Sequence, residues 1–182
     1  SHKIWNPGSR PLGWNRMAIE NIDGRHDDDE TSIPGIDVMI DAARDALEYL
    51  KTNETNQLDS WANVLIKSKH QILQRLAIHA STLNPNRTPE EKINWIMNNI
   101  DLGAIPKNHE IYRAVAISYK YCGHKVRHSF VQRIFEETAS SVSIRNKYPE
   151  NTRTEIIFRW LTWLSKIKPD CNIATANLEN IK

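Results

Sequence analysis

Apolar side chains recur at helical spacing along the chain from Ile36 onward. In residues 36–51 the apolar positions fall within one arc of a helical wheel, and the charged positions fall on the opposite side. Similar periodicity continues almost to the end of the chain, and no segment alternates as a half-buried strand does. The pattern predicts an all-α protein with helices over residues 36–52, 57–67, 69–83, 88–101, 109–122, 125–139, 154–167 and 170–180.

The same wheels predict which side chains face the core. On helix 36–52 the side chains predicted to face inward are Ile36, Met39, Ile40, Ala43, Ala46, Leu47 and Leu50. On helix 57–67 the side chains predicted to face inward are Leu58, Trp61 and Leu65, and Val64 is a further candidate. Helix 109–122 is apolar nearly all round, so we expect it to be packed on most sides, with Val115 and Ile117 in the core.

The helices group naturally into four consecutive hairpins. The hairpins start at residues 36, 69, 109 and 154, which are 33, 40 and 45 residues apart. This is the spacing of HEAT, armadillo and tetratricopeptide repeats. We therefore predict an irregular HEAT/tetratricopeptide-like stack of about four helical hairpins over residues 36–182, with a globular all-α domain as the alternative. Residues 1–35 are predicted to be an irregular segment that contains the acidic loop Asp27–Glu30.

Composition limits the class of protein. Six glycines and eight prolines in 182 residues are too few for a turn-rich all-β fold. The sequence contains no run of 18 apolar residues, which is about the length that a membrane-spanning helix needs. The two isolated cysteines fit a reducing cytoplasm. Because the chain begins without Met, we expect it to be an excerpt from a longer protein.

Charge is distributed unevenly along the chain. Residues 1–60 carry 6 Lys and Arg against 12 Asp and Glu, whereas residues 61–182 carry 18 against 10. Such a division means either that the two halves attract each other or that the second half meets an acidic partner. The second interpretation leaves nucleic acid open as a partner.

Motifs for phosphate binding and nucleophilic catalysis are missing from the sequence. It contains no G-x-x-x-x-G-K-[ST], no G-x-G-x-x-G and no G-x-S-x-G. Cys122, His124 and His128 lie close together, but the neighbouring cations Lys125 and Arg127 would repel a metal ion. We therefore predict no catalytic residue, no cofactor and no metal site.

Several cationic side chains stand out from their helices. Arg127 falls inside the apolar arc of its helix, so it is a candidate buried or anion-binding arginine, or a first-turn side chain that reaches solvent or a nearby Glu. Arg75 and His79, four residues apart, are expected to seal one hairpin against the next through carbonyls and carboxylates, and a catalytic or phosphate-binding pair is the alternative. Two cations on each of two predicted helices form a candidate partner-binding strip: Arg113, Lys120, Arg159 and Lys166. The alternative is that these side chains belong to a solvated face.

Several stretches, in order, resemble the helical C-terminal region of large bacterial antiphage-defence proteins, in which a sirtuin-like or P-loop signalling-ATPase module precedes that region. They are Asp41–Leu50, Arg75–His79, Glu91–Trp95, His109–Tyr112 and Arg159–Leu164, with Pro169-Asp-Cys171 after the last. The resemblance implies a sensing, scaffolding or self-assembly role, with catalysis elsewhere in the parent protein. The chain has none of the sirtuin or P-loop residues, so no active-site residue carries over.

These observations lead to one expected function and two alternatives. We expect a non-catalytic helical recognition or assembly module that binds a protein partner or a second copy of itself. The first alternative is a helical repeat that binds nucleic acid through the basic second half. The second alternative is an enzyme such as a helical-repeat glycosylase, which would need a carboxylate in a cleft lined with Trp or Tyr.

Overall fold

The computed structural model describes residues 34–103, 109–140 and 150–179, and these ranges contain eight helices and no strand. The predicted all-α class is confirmed, and the helix ends lie within four residues of those predicted. The acidic loop Asp27–Glu30 lies outside the described residues, as does the rest of segment 1–35 except Pro34 and Gly35, which begin the first helix. The helices are α1 (Pro34–Asn53), α2 (Thr55–Leu65), α3 (Gln71–Leu83), α4 (Pro89–Asn99), α5 (His109–Tyr119), α6 (His124–Ser140), α7 (Glu150–Ile167) and α8 (Asn172–Glu179).

The described residues divide into two compact units. The first unit comprises the residues up to Asn86 together with His109 and Glu110, the first two residues of α5. In it α2 makes its most extensive contact with α3, and α1 packs against both. The side chains buried at these contacts include Ile40 and Leu47 of α1, Leu58 and Ala62 of α2, and Ile72 and Leu76 of α3.

The second unit, residues 87–103 and 111–179 of the described chain, is organised around α6. This helix packs against α4, α7 and α8. Its Phe130 ring lies 5.8 Å from the Tyr119 ring and 5.9 Å from the Trp160 ring, centroid to centroid. Such tilted and edge-on arrangements suit the quadrupoles of aromatic rings. A Cβ atom on Gly103 would lie 2.6 Å from the carbonyl oxygen of Glu137, so glycine is required at that close approach.

Helix α4 begins with a capping box. The Thr88 hydroxyl accepts a hydrogen bond from the Glu91 backbone N–H at 3.2 Å, and the Glu91 carboxylate accepts one from the Thr88 backbone N–H at 2.7 Å. Pro89 occupies the first turn, where its missing N–H costs nothing. The hydrogen bonds from the Thr88 backbone and hydroxyl hold the pKa of the Glu91 carboxyl below its ordinary value.

The pairing of helices agrees in part with the predicted hairpins. Helices α1 and α2 are in direct contact, and so are α7 and α8. Helices α3 and α4, which the spacing assigned to one hairpin, belong to different compact units. The HEAT/tetratricopeptide-like arrangement of the whole chain stays a prediction.

Helix α5 is covered on one side and open on the other. Val115 is fully buried, as predicted. Ile117 is 37% exposed and Tyr121 is 67% exposed, so the expectation that Ile117 lies in the core is wrong. Ile117 lies near the end of α5, and Lys120 and Tyr121, which follow the helix, are exposed as well.

Candidate functional site: an apolar groove in the first unit

A groove of about 580 Å³ opens on the surface of the first unit between α1, α2 and α3. Helix α1 supplies one bank, α2 supplies the other, and α3 contributes to the floor. All the lining side chains are aliphatic or aromatic: Ala43, Ala46, Leu47, Tyr49, Leu50, Trp61, Leu65, Leu73 and Leu76. The groove can therefore shelter an apolar surface, and its lining carries no charged group.

The groove exists because the apolar arc of α1 is wider than the surface that α2 and α3 cover. Ile40 and Leu47 are 4% and 5% exposed. Met39 and Tyr49 are 71% and 61% exposed, and Trp61 on the opposite bank is 46% exposed. The prediction that Met39 and Trp61 lie in the core is therefore wrong. Periodicity identified the apolar arc, but which part of it stays open depends on how the neighbouring helices pack.

The open stripe of α1 combines small and aromatic side chains. Ala42 and Ala46 are exposed, and Ala43 beside them is half-buried. Small side chains let the backbone of a second helix come close, as in tightly packed helix pairs. The amphipathic Tyr49 and Trp61 at the edges can contact apolar groups while keeping their polar atoms near water.

An acidic cluster lies on the face of α1 opposite the apolar arc. The Arg44 guanidinium contacts Asp41 at 2.7 Å, Asp45 at 2.6 Å and Glu48 at 4.0 Å. Burial lowers the pKa of Arg44, but the hydrogen bond to Asp45 and the negative charges of all three carboxylates more than offset it, so the pKa is raised. Three carboxylates around one guanidinium leave a net charge of −2. Asp45, 65% exposed, presents part of that charge to solvent.

Two further contacts with carboxylates lie within the first unit. The buried Arg75 guanidinium donates hydrogen bonds of 2.9 Å and 3.0 Å to the carboxylate of Glu110. The buried His79 has its Nε2 atom 3.7 Å from a carboxylate oxygen of Glu48. The expected carboxylate partner is confirmed for Arg75, and His79 approaches a carboxylate without a hydrogen bond from its Nε2 atom. That the pair seals one hairpin against the next stays a prediction. Their partners lie 35 residues downstream and 31 residues upstream, so local sequence patterns do not identify them.

Arg127, the candidate buried or anion-binding arginine, is half-buried in the second unit. Its Nη1 atom donates a hydrogen bond of 2.7 Å to the carbonyl oxygen of Cys122, just after the end of α5. The Arg127 Nε atom and the Tyr119 hydroxyl are buried without a hydrogen-bond partner among the described residues. Arg127 thus links the end of α5 to the first turn of α6, and an anion-binding role stays a prediction.

Of the four cations of the predicted strip, Arg113 lies on α5, Lys120 directly follows α5, and Arg159 and Lys166 lie on α7. Lys120, Arg159 and Lys166 are exposed and Arg113 is half-buried. Arg159 pairs with Glu155 at 2.5 Å, and the Lys120 ammonium lies 4.8 Å from the centroid of the Tyr121 ring. Neither contact tests whether the strip binds a partner, so the strip stays a prediction.

Among the described residues, no three His, Cys, Asp or Glu side chains converge where they could hold a metal ion. The Cys122 thiol is buried, and burial together with the nearby Glu90 raises its pKa to about 11, so it stays protonated near neutral pH. No helix in the described part of the chain is long and apolar enough to span a membrane.

Comparison with known proteins gives no relative. No protein-family model, no curated protein and no solved structure matches this chain.

Proposed function

We propose that this chain is a non-catalytic helical recognition or assembly module of a larger bacterial antiphage-defence protein, acting in the cytoplasm. The observation that carries the proposal is the apolar groove between α1, α2 and α3, whose bank residues Tyr49 and Trp61 are 61% and 46% exposed. A contiguous exposed apolar patch is typical of a protein-binding surface. The resemblance described above supplies the defence context and assigns catalysis to another part of the parent protein.

The experiment compares two lysine variants of the full reading frame in phage-challenged cells. Ala46→Lys places a long charged side chain in the groove, whereas Ser129→Lys places the same charge at an exposed position of α6 outside it. We expect Ala46→Lys to abolish protection, measured as efficiency of plating, and Ser129→Lys to retain it. Equal expression and equal melting temperature of the two variants are the controls. Full protection by Ala46→Lys would contradict the proposal.

Nucleic-acid binding is the second candidate function, and the exposed Lys120, Arg159 and Lys166 of the second unit favour it. A duplex-binding protein that neutralises several phosphates loses affinity steeply as salt rises, because binding releases counterions. Titration of nonspecific duplex DNA at increasing salt therefore separates the two candidates. A steep salt dependence that disappears when these three cations are reversed to Glu would favour nucleic acid.

A further inference from the structure

We propose that Arg127 and Tyr119 bind a small inorganic anion at the corner between α5 and α6. This corner belongs to the second unit, so the proposal is separate from the groove of the first unit and from the function proposed for it. The ligand is an anion that accepts hydrogen bonds, such as chloride or phosphate. Its site combines an arginine without a carboxylate, a buried hydroxyl without a partner, and the first turn of a long helix.

The arginine brings a positive charge that the protein does not balance. Arg127 is half-buried and pairs with no carboxylate in the described part of the chain. Its Nη1 atom donates a hydrogen bond of 2.7 Å to the carbonyl oxygen of Cys122, and its Nε–H is buried without an acceptor there. A carbonyl oxygen accepts a hydrogen bond without neutralising a guanidinium, and a buried charge is stable when it is paired. An anion supplies that pairing.

Tyr119 brings a second donor. Its side chain is fully buried, and its hydroxyl has no hydrogen-bond partner among the described residues. Burial, followed by the charge of Cys171, raises the pKa of this hydroxyl above its ordinary value, and the charge of Arg127 acts in the opposite direction. The hydroxyl therefore stays protonated near neutral pH and can donate. Because buried polar side chains in native proteins are nearly always hydrogen-bonded, we expect this hydroxyl to find an acceptor outside the chain.

The backbone and the rings hold both donors at one corner. Cys122 connects them, because its N–H donates to the Tyr119 carbonyl oxygen at 3.2 Å while its own carbonyl accepts from Arg127. The Tyr119 ring lies 5.8 Å from the ring of Phe130, which follows Arg127 by three residues on the same face of α6. Both donors therefore lie between the end of α5 and the first turns of α6.

The start of α6 adds a favourable potential for negative charge. The helix has 17 residues, and the N-terminal end of such a helix carries a partial positive charge. The side chain of Arg127 reaches back to Cys122, which precedes the helix, so its guanidinium lies at this end. The helix end, the guanidinium and the hydroxyl thus favour the same kind of ligand.

Two carboxylates lie near this corner, and each has a partner of its own. Glu90 accepts a hydrogen bond of 2.9 Å from the backbone N–H of Gly123, and Asp170 contacts the Lys168 ammonium at 2.7 Å. Neither carboxylate pairs with Arg127. A water molecule could accept from both donors, but it would leave the guanidinium charge unbalanced, so the corner favours an anion over water.

The experiment measures the melting temperature of the full 182-residue chain. Sodium chloride or sodium phosphate replaces sodium gluconate, whose anion is bulky, at constant ionic strength. A ligand that binds only the folded state raises the melting temperature as its concentration exceeds the dissociation constant. We expect a rise of about 3 °C or more at ten times the dissociation constant. Comparison of the two salts shows whether the site prefers a halide or an oxyanion.

Matched variants assign the rise to the corner. Tyr119→Phe keeps the ring and removes the hydroxyl, so the melting temperature in gluconate should be unchanged or higher and the rise with anion should be lost. Arg127→Met should also lose the rise. Tyr49→Phe and Arg159→Met remove an exposed hydroxyl on α1 and an exposed guanidinium on α7, and both should keep it. If Arg127→Met does not fold, the comparison of Tyr119→Phe with Tyr49→Phe decides alone.

Three results would overturn the proposal. In the first, neither chloride nor phosphate changes the melting temperature of the parent chain. In the second, the rise persists in Tyr119→Phe, which places the anion elsewhere. In the third, Tyr119→Phe lowers the melting temperature equally in all three salts, which assigns the partner of the hydroxyl to water. A rise with either salt that is lost in Tyr119→Phe and kept in Tyr49→Phe supports the site.

Discussion

The guanidinium of Arg75 and the carboxylate of Glu110 form a buried pair, with two hydrogen bonds of 2.9 Å and 3.0 Å. The side chains are 2% and 4% exposed, although 35 residues separate them in sequence. Removing either partner leaves a charge that water cannot reach. We expect Arg75→Met or Glu110→Leu alone to lower the free energy of unfolding by about 3–5 kcal/mol.

The double variant completes this prediction. Replacing both residues removes both charges together, so its loss should be smaller than the sum of the two single losses. Urea unfolding of all four proteins measures the coupling. Single-variant losses below about 1 kcal/mol would show that the pair is not buried in solution.

Helix α5 offers a test of its one-sided burial. Val115 is fully buried, and Ile117, two residues away, is 37% exposed. Val115→Asp should destabilise the protein by about 3 kcal/mol or more, because a carboxylate would enter the core unpaired. Ile117→Asp should cost less than about 1 kcal/mol, since its side chain can reach water. Equal melting temperatures for the two variants would contradict the described face of α5.

The capping box at the start of α4 predicts a pH-dependent effect. Thr88→Ala should cost about 1 kcal/mol at neutral pH, and the exposed Thr154→Ala on α7 should not destabilise. Because the folded pKa of Glu91 is lowered, the stability from its ionised carboxylate is present above the unfolded pKa and is lost as pH falls through the folded value. The difference between Thr88→Ala and the parent should therefore shrink as the pH is lowered. Thermal unfolding at pH 7 and pH 3 checks this, and a pH-independent difference would count against the box.

The candidate partner-binding strip gives a prediction that separates binding from folding. Lys120, Arg159 and Lys166 are exposed, so reversing all three to Glu should change the free energy of unfolding by less than about 1 kcal/mol. If the strip binds a phosphate backbone or an acidic protein, the same variant should lose duplex DNA binding or phage protection. A folded variant that retains both activities would remove the strip as a binding surface.

The sequence predicted the elements of the fold better than the candidate site. Helix positions follow from periodicity and from local signals such as Thr88 and Glu91, which act within one turn. The groove depends on how three helices pack, so a wheel alone could not show that Met39 and Trp61 stay exposed while Ile40 is buried. The one feature of the sequence that pointed to the groove was the width of the apolar arc on the helical wheel of α1.

The central claim is that the groove is covered when the protein works, and cysteine labelling measures this directly. Cys122 and Cys171 are buried, and the raised pKa of Cys122, about 11, keeps its thiol protonated. Both should therefore react slowly with maleimide at pH 7, because the thiolate is the reactive form and access is limited. New cysteines at Ala46 and Ser129 supply the signal and the control.

The labelling rates are compared between the isolated chain and the full-length protein in phage-challenged cells. We expect Ala46→Cys to react rapidly in the isolated chain and at least about tenfold more slowly in challenged cells, because a bound partner excludes the reagent. Ser129→Cys should react at similar rates in both. Equal rapid labelling of Ala46→Cys in both settings would contradict the assignment of the groove as a recognition surface.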